Sequence, residues 1–516
     1  MNPTENPPGR PAGRPAGRTA AARFPRLTAA DLTNLAMEYP DTPMHMGVLV
    51  LLDGRALCDA DGKLRLAEIR AMAADRVRDV PELCRIVHVP GLLAGPPLWI
   101  DYPALRIDQH VNEVGLPPPG DEAALLCLAE ELLAPLLDRS RPMWRVWFVT
   151  GLPGGRVGAV VALHHAIADG LGAVRLLATL LGAPLAAAVP TVPAPTVPAP
   201  TVPVPTVPVP TVPVPTVPVP AVPVPVGQAP TGPAAGRALV DPVTAPRWAE
   251  LVRDNARARA SAARRRLATA PSPRRCAGSV RSGWRVLAQS WRAPRTSLNA
   301  PIGPRRRLAV FHLDLADAKR IAHGHGGKVN DVILNLAAGS LRALLRARGE
   351  SVDGVSLRAS VAVSLRAPGG NMDAGNHVGV VIVRLPVGEA DPDLRMEQVC
   401  AESIRAKQGQ VPTAGQGVAV WAARLGLLRR FTRRQHLTNL TESNMIGPPA
   451  PIRLLGAPVV DLIPIGNLAG NLSVTFLALS YAGRIAVAVR ADADQYPDLP
   501  VLMAALENDW NQLAAR

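Results

Sequence analysis

The sequence predicts a mixed α/β (α+β) chain with two folded domains separated by a low-complexity, proline-rich linker. Three observations predict it. Hydrophobic residues are 48% of the 516, enough for two sizeable cores. Strand-like and helix-like periodicities alternate on both sides of a central repeat. The repeat, residues 191–225, runs TVPAP twice, TVPVP four times and AVPVP once. Proline at every second or third position removes backbone donors and forbids helix and central strand, which leaves polyproline II. At ~3.1 Å per residue the segment reaches on the order of 100 Å. A semi-rigid spacer is the simpler role; a ligand for a proline-binding partner is the other.

The elements follow in order. Residues 1–25 form a Pro/Gly/Arg tail of disordered composition. Over 26–185, Met44 to Leu52, Met143 to Thr150 and Val157 to Leu163 read as strands. Leu64 to Val77, Glu122 to Leu137 and Gly172 to Leu181 read as helices. Residues 186–236 are the proline-rich linker and 237–299 an arginine-rich connector. Over 300–516, strands are predicted at Leu308 to Leu313, Ser356 to Ser364, Val378 to Leu385, Leu472 to Tyr481 and Arg484 to Arg490. Helices are predicted at Val329 to Arg348, Pro392 to Gln408, Val418 to Arg434 and Pro497 to Leu513. Two such domains can build a small-molecule site at their interface.

The formal net charge is +15, but it is local. Seventeen arginines from Arg237 to Arg307 face only Asp241, Glu250 and Asp254, which leaves +14 in that tract. Trp248, Leu251, Val252, Trp284, Val286, Leu287 and Trp291 interleave with it. Arginine beside Trp and Leu suits an anionic membrane or lipid-body surface, and a solvated basic connector fits the composition equally. Nucleic acid is the competing polyanion, yet the chain has no zinc-finger spacing, RNP motif or stacking platform, so no nucleic-acid partner is expected. The amino terminus lacks the apolar core of a signal peptide, and no apolar run reaches the ~18 residues a spanning helix needs. Five scattered cysteines without a C-x-x-C pair suggest reduced thiols in a cytoplasmic protein.

The chemistry concentrates in Leu163-His164-His165-Ala166-Ile167-Ala168-Asp169-Gly170. The apolar run Val157 to Leu163 is a buried strand, so the two imidazoles arrive at its carboxyl edge, one directed into a cavity and the other into protein. Paired histidines at a strand end are often structural, and H-H-x-x-x-D offers no third zinc ligand; no metal is expected.

That segment matches the H-H-x-x-x-D-G motif of the superfamily of chloramphenicol acetyltransferases, peptide-synthetase condensation domains and plant acyltransferases. Within it the chain resembles the bacterial wax ester synthase/diacylglycerol acyltransferase family. Pro142-Met143-Trp144 is similar to its P-L-W motif, and Leu298-Asn299-Ala300-Pro301-Ile302-Gly303 to its L-N-x-P-I-G segment. Asn330-Asp331-Val332 corresponds to its N-D motif. Ser443-Asn444-Met445-Ile446-Gly447-Pro448 resembles S-N-V-P-G-P, with Met-Ile replacing Val-Pro. Pro43 to Gly47, Gly375-Asn376 and Leu477 to Gly483 add support. The resemblance covers roughly 26–185 and 296–516.

The resemblance implies two chloramphenicol-acetyltransferase-like domains with the active site at their interface. It implies long-chain acyl transfer from acyl-CoA, as co-substrate, to the hydroxyl of diacylglycerol, with long-chain alcohols as alternative acceptors. His165 would be the general base, with no covalent acyl-enzyme and no cofactor; the chain has no G-x-S-x-G elbow. His164 would belong to the wall of the site. Asp169 would brace the loop through an arginine, with Arg366 as one candidate, and the Gly170 region would offer an N–H to the oxyanion. Asn330 would orient His165 or substrate, or cap its helix. Ser443 and Asn444 would be structural. A cytoplasmic enzyme on the inner face of the membrane or on lipid bodies follows. Two alternatives keep the same residues: a related enzyme using a polyketide-type secondary alcohol, and a lipid-surface scaffold without catalysis.

Overall fold

The computed structural model describes residues 24–181, 246–268, 293–364, 378–408, 427–454 and 456–516. The proline repeat, Trp284, Trp291, Arg366 and Gly375-Asn376 lie outside them.

The first half runs α1 (Ala29–Met37), β1 (His45–Asp53), α2 (Leu66–Val77), β2 (Arg85–His88), β3 (Leu98–Asp101), β4 (Val111–Gly115), α3 (Glu122–Leu133), β5 (Trp144–Thr150), β6 (Arg156–His164) and α4 (Gly170–Leu181). Next comes α5 (Trp248–Ala268). The second half runs β7 (Arg306–Asp314), α6 (Leu315–Gly324), α7 (Val329–Ala347), β8 (Leu357–Ser364), β9 (Val378–Leu385), α8 (Pro392–Gln408), α9 (Leu427–Thr432), β10 (Leu440–Ile446), β11 (Arg453–Leu454), β12 (Ala457–Ile465), β13 (Val474–Tyr481), β14 (Arg484–Asp492) and α10 (Leu499–Ala514).

Two six-stranded mixed sheets result, in the orders β11-β12-β1-β6-β5-β4 and β7-β14-β13-β10-β8-β9. The sheets do not divide where the linker does. Strands β11 and β12 come from the second half yet extend the first sheet, β12 pairing antiparallel with β1 from Gly47↔Ile465 to Leu52↔Val459. Central β6 lies between β1 and β5, so its run from Val157 to Leu163 needs no polar face. The second core is centred on α7, nearly all of which is buried from Asp331 to Leu341 against β8, β9, β13, β14 and α10.

Local chemistry moved several boundaries. Helix α3 ends at Leu133 rather than Leu137, because Pro135 has no backbone N–H to continue the helical ladder. Helix α4 starts at Gly170, two residues early, because Asp169 caps it. Of the helix expected over Val418 to Arg434, the described part is Leu427–Thr432. The connector is more than a tether: α5 seats on the turn between β2 and β3, where Leu251 is buried with Ala94 and Leu98. Among the described residues no helix is long and apolar enough to cross a membrane.

Candidate active site

The end of β6 is held on both sides. His164 N donates to Met143 O at 3.0 Å, and His165 N donates to Met44 O at 2.9 Å. The Asn34 amide of α1 donates to His165 O at 3.0 Å. A turn closed by Ile167 N donating to His164 O at 2.9 Å then leads into α4. The backbone of the pair is thus tied to β1, to α1 and to the strand start at Met143.

The two imidazoles point into different surroundings. His164 is fully buried, and its Nδ1 accepts from Ala166 N at 3.0 Å. An accepting Nδ1 leaves the proton on Nε2, which lies 3.2 Å from Glu38 Oε1. Glu38 in turn takes Arg139, Nε to Oε2 at 3.1 Å and a terminal nitrogen to Oε2 at 2.7 Å. Burial alone would raise the Glu38 carboxyl, but His164 and Arg139 outweigh it and bring it down to about 2. His165 is only half-buried as a residue. Burial of its ring lowers its pKa, its own backbone raises it, His164 lowers it further and Asp169 opposes. The net depression keeps the imidazole neutral at pH 7, as a proton acceptor requires.

Asp169 is fully buried and acts as the cap of α4: its Oδ1 accepts from Gly172 N at 2.8 Å, and its carbonyl accepts from Ala173 N at 2.7 Å. It braces the loop through backbone amides; Arg366, the candidate arginine, is not among the described residues. Gly170 is the first residue of α4, so its N–H belongs to the unpaired first turn of a helix beside His165. A Cβ at Gly170 would meet Met445 Sδ at 3.0 Å. The Ser443 to Pro448 segment, at the end of β10 in the second sheet, therefore packs on the histidine loop of the first.

Asn330 is the second residue of α7 and not its cap. Lys328 holds the cap position, and Asp331 in the first turn reaches back to it, its Oδ2 accepting from Lys328 N at 2.8 Å. The Asn330 side chain meets Glu442, a buried carboxyl on β10 that the sequence reasoning passed over. Glu442 registers with Phe476 and Val361, both in the apolar core. Burial pushes it up to about 8; Asn330 lowers it, Asp331 raises it and Lys407 lowers it. A T-E-S-N strand with an acid at an inward position was the available signal.

The seam between the sheets is clamped by ion pairs that were equally silent in the sequence. Arg490 of β14 grips Glu130 of α3, Nε to Oε1 at 2.9 Å and to Oε2 at 3.1 Å, with both residues buried. Arg433 reaches Asp41 at 2.8 Å, and His312 Nε2 lies 2.6 Å from Asp461 Oδ2 between β7 and β12.

Two mixed sheets, the first completed by strands from the second half, with an H-H-x-x-x-D-G loop where they meet, define an acyltransferase class. Residues 27–333 match the model of the wax ester synthase/diacylglycerol acyltransferase catalytic domain, and residues 374–514 match that of the WS/DGAT C-terminal domain. A probable diacylglycerol O-acyltransferase of Mycobacterium tuberculosis is 27% identical over 510 residues, 95% of this chain and 96% of that protein. A putative diacylglycerol O-acyltransferase of Mycobacterium bovis is 30% identical over 87% of this chain and 83% of its own length. The solved wax ester synthase/diacylglycerol acyltransferase of Marinobacter aquaeolei VT8 superposes with a TM-score of 0.59 at 20% identity, covering 96% of this chain and all of that one. The starter condensation domain of rhizomide synthetase, solved with C8-CoA, gives 0.54 at 14% identity, covering 96% of this chain and 95% of that one. The chain belongs to the wax ester synthase/diacylglycerol acyltransferase family, and it is an O-acyltransferase.

Proposed function

We propose that this enzyme transfers a long-chain acyl group from acyl-CoA to the free hydroxyl of diacylglycerol, making triacylglycerol, and accepts long-chain alcohols to make wax esters. His165 removes the hydroxyl proton as the oxygen attacks the thioester carbonyl. The tetrahedral oxyanion is met by the amides that open α4. The C–S bond then breaks, and His165 returns the proton to the CoA thiolate. Acyl-CoA enters as co-substrate, and this chemistry calls for no metal or prosthetic group. The observation that carries the reading is the division of labour in the histidine pair: His164 is locked to Glu38, while half-buried His165 is held neutral with its backbone pinned on both sides.

His165→Ala is expected to keep its fold by circular dichroism and lose at least about a hundredfold in CoA release from palmitoyl-CoA with diacylglycerol or hexadecanol. Because the His165 pKa is depressed, kcat/KM in the wild type should hold its plateau below pH 6.5 and fall only under more acidic conditions. Near-wild-type turnover in the alanine variant would overturn the mechanism; turnover with neither acceptor in the wild type would overturn the substrate assignment. Since both acceptors are nearly insoluble in water, the reading also places the enzyme on the cytoplasmic face of the membrane or on a lipid body.

A further inference from the structure

One corner of the first domain exposes four large apolar side chains. Val89, Leu92 and Leu93, in the turn between β2 and β3, are 73%, 60% and 68% exposed, and Trp248 at the start of α5 is 55% exposed. Scattered exposed leucines are ordinary, but four that meet from two segments far apart in the chain form a patch.

The corner is built. The Trp248 indole N–H donates to Leu92 O at 3.0 Å, and Asn255 Nδ2 donates to Leu93 O at 2.8 Å. Asp254 pairs with Arg26 at 3.3 Å, and Leu251 is buried beneath with Ala94 and Leu98. Leu93 has a φ of 68°, a left-handed backbone that disfavours leucine and that glycine or asparagine would adopt at lower cost. The turn therefore presents leucine in a position where local folding would select against it.

Charge identifies the occupant. Beyond Asn255, helix α5 leaves the body of the domain, and Arg257, Arg259 and Arg264 are exposed there, with Arg253 exposed one turn earlier. None of the four has an ion-pair partner among the described residues, whereas Asp254 is taken by Arg26. Three of the four side chains, Val89, Leu92 and Leu93, are aliphatic and give bases nothing to stack on, but they match the acyl region of a lipid layer whose phosphates match the arginines, and Trp248 suits its headgroup boundary.

We propose that this corner seats the enzyme on an anionic lipid surface. Val89, Leu92 and Leu93 enter beneath the headgroups, Trp248 sits at their boundary, and the arginines of α5 lie on the lipid phosphates. The purpose of such docking rests on the proposed acylation of a membrane-held acceptor; the binding itself can be read without turnover.

The test is flotation of the full chain with vesicles of phosphatidylcholine alone or mixed with phosphatidylglycerol. Wild type should float with the anionic vesicles and be released by salt. Leu92→Ser with Leu93→Gly should reduce the bound fraction about tenfold, the effect of withdrawing two partly inserted leucines. The melting temperature should not fall, since glycine relieves the left-handed backbone. Arg253→Gln, Arg257→Gln and Arg259→Gln together should abolish the preference for anionic over neutral vesicles. Both variants should keep wild-type CoA release from decanoyl-CoA and decanol dispersed in detergent. Absence of wild-type flotation, or equal flotation of the apolar variant, overturns the proposal. So does retention of RNA by the arginines without vesicle binding. Vesicle binding at this corner by a protein that acylates neither acceptor would leave the docking face standing and remove the proposed function.

Discussion

Two buried glutamates, one in each half of the molecule, have opposite fates. Glu38 sits behind the histidine pair with His164 and Arg139 on its oxygens and is held down at about 2. Glu442 sits under the start of α7 among Phe476, Val361 and Asn330 and is pushed up to about 8. Burial alone raises both; only a cation or a proton donor on the carboxylate reverses it. The first half spends its buried acid as a charged anchor for His164, and the second keeps its acid as a neutral group beside Asn330.

Arg490→Met tests the contrast most severely, because it strips the cation from a third buried glutamate, Glu130, and leaves an uncompensated charge at the seam. A loss of about 3 to 5 kcal/mol in denaturant unfolding is expected. Glu38→Gln should cost about 1 to 3 kcal/mol at pH 7, less because Arg139 is half-exposed and can be rehydrated. Its pH dependence sharpens the comparison. The stabilisation from Glu38 is complete above its ordinary 4.5 and drains as pH falls toward 2, so wild type and variant should converge in melting temperature in acid. Glu442→Gln should be the mildest, within about 1 kcal/mol of wild type near pH 4.5, because glutamine copies the protonated acid. Here the sign reverses: the favourable contribution is complete below 4.5 and drains as pH rises toward 8, so the variant should overtake wild type between pH 4.5 and 8 and keep its full advantage above 8. Parallel pH profiles for the two glutamine variants would mean that the carboxyls share one protonation state.

The site was legible where it is local. The run from Val157 to Leu163 announced a buried strand, and the His-His-x-x-x-Asp-Gly spacing announced the turn that follows, with His165 and His164 in different surroundings. Asp169 was legible as a brace but not as the cap of α4, because which amide its carboxylate takes depends on how the turn closes. Asn330 was misplaced as a cap for a similar reason: the chain enters α7 two residues earlier, at Lys328. Glu38 and Glu130 gave no signal, since their meaning lies in partners 126 and 360 residues away in the chain at His164 and Arg490. The arginine-rich connector was legible in charge, but its helix docks through Trp248 and Asn255 onto carbonyls of a remote turn.

By itself, the sequence determined the elements, the histidine motif and the separation of folded halves by proline, because periodicity, turn chemistry and the missing proline N–H act over a few residues. Only the tertiary structure decided that β12 of the second half completes the first sheet, that Met445 closes on Gly170, and which buried acids keep their charge. Those outcomes depend on which distant groups meet once water is excluded, and in a buried site the presence or absence of one counter-charge outweighs any intrinsic property of the side chain.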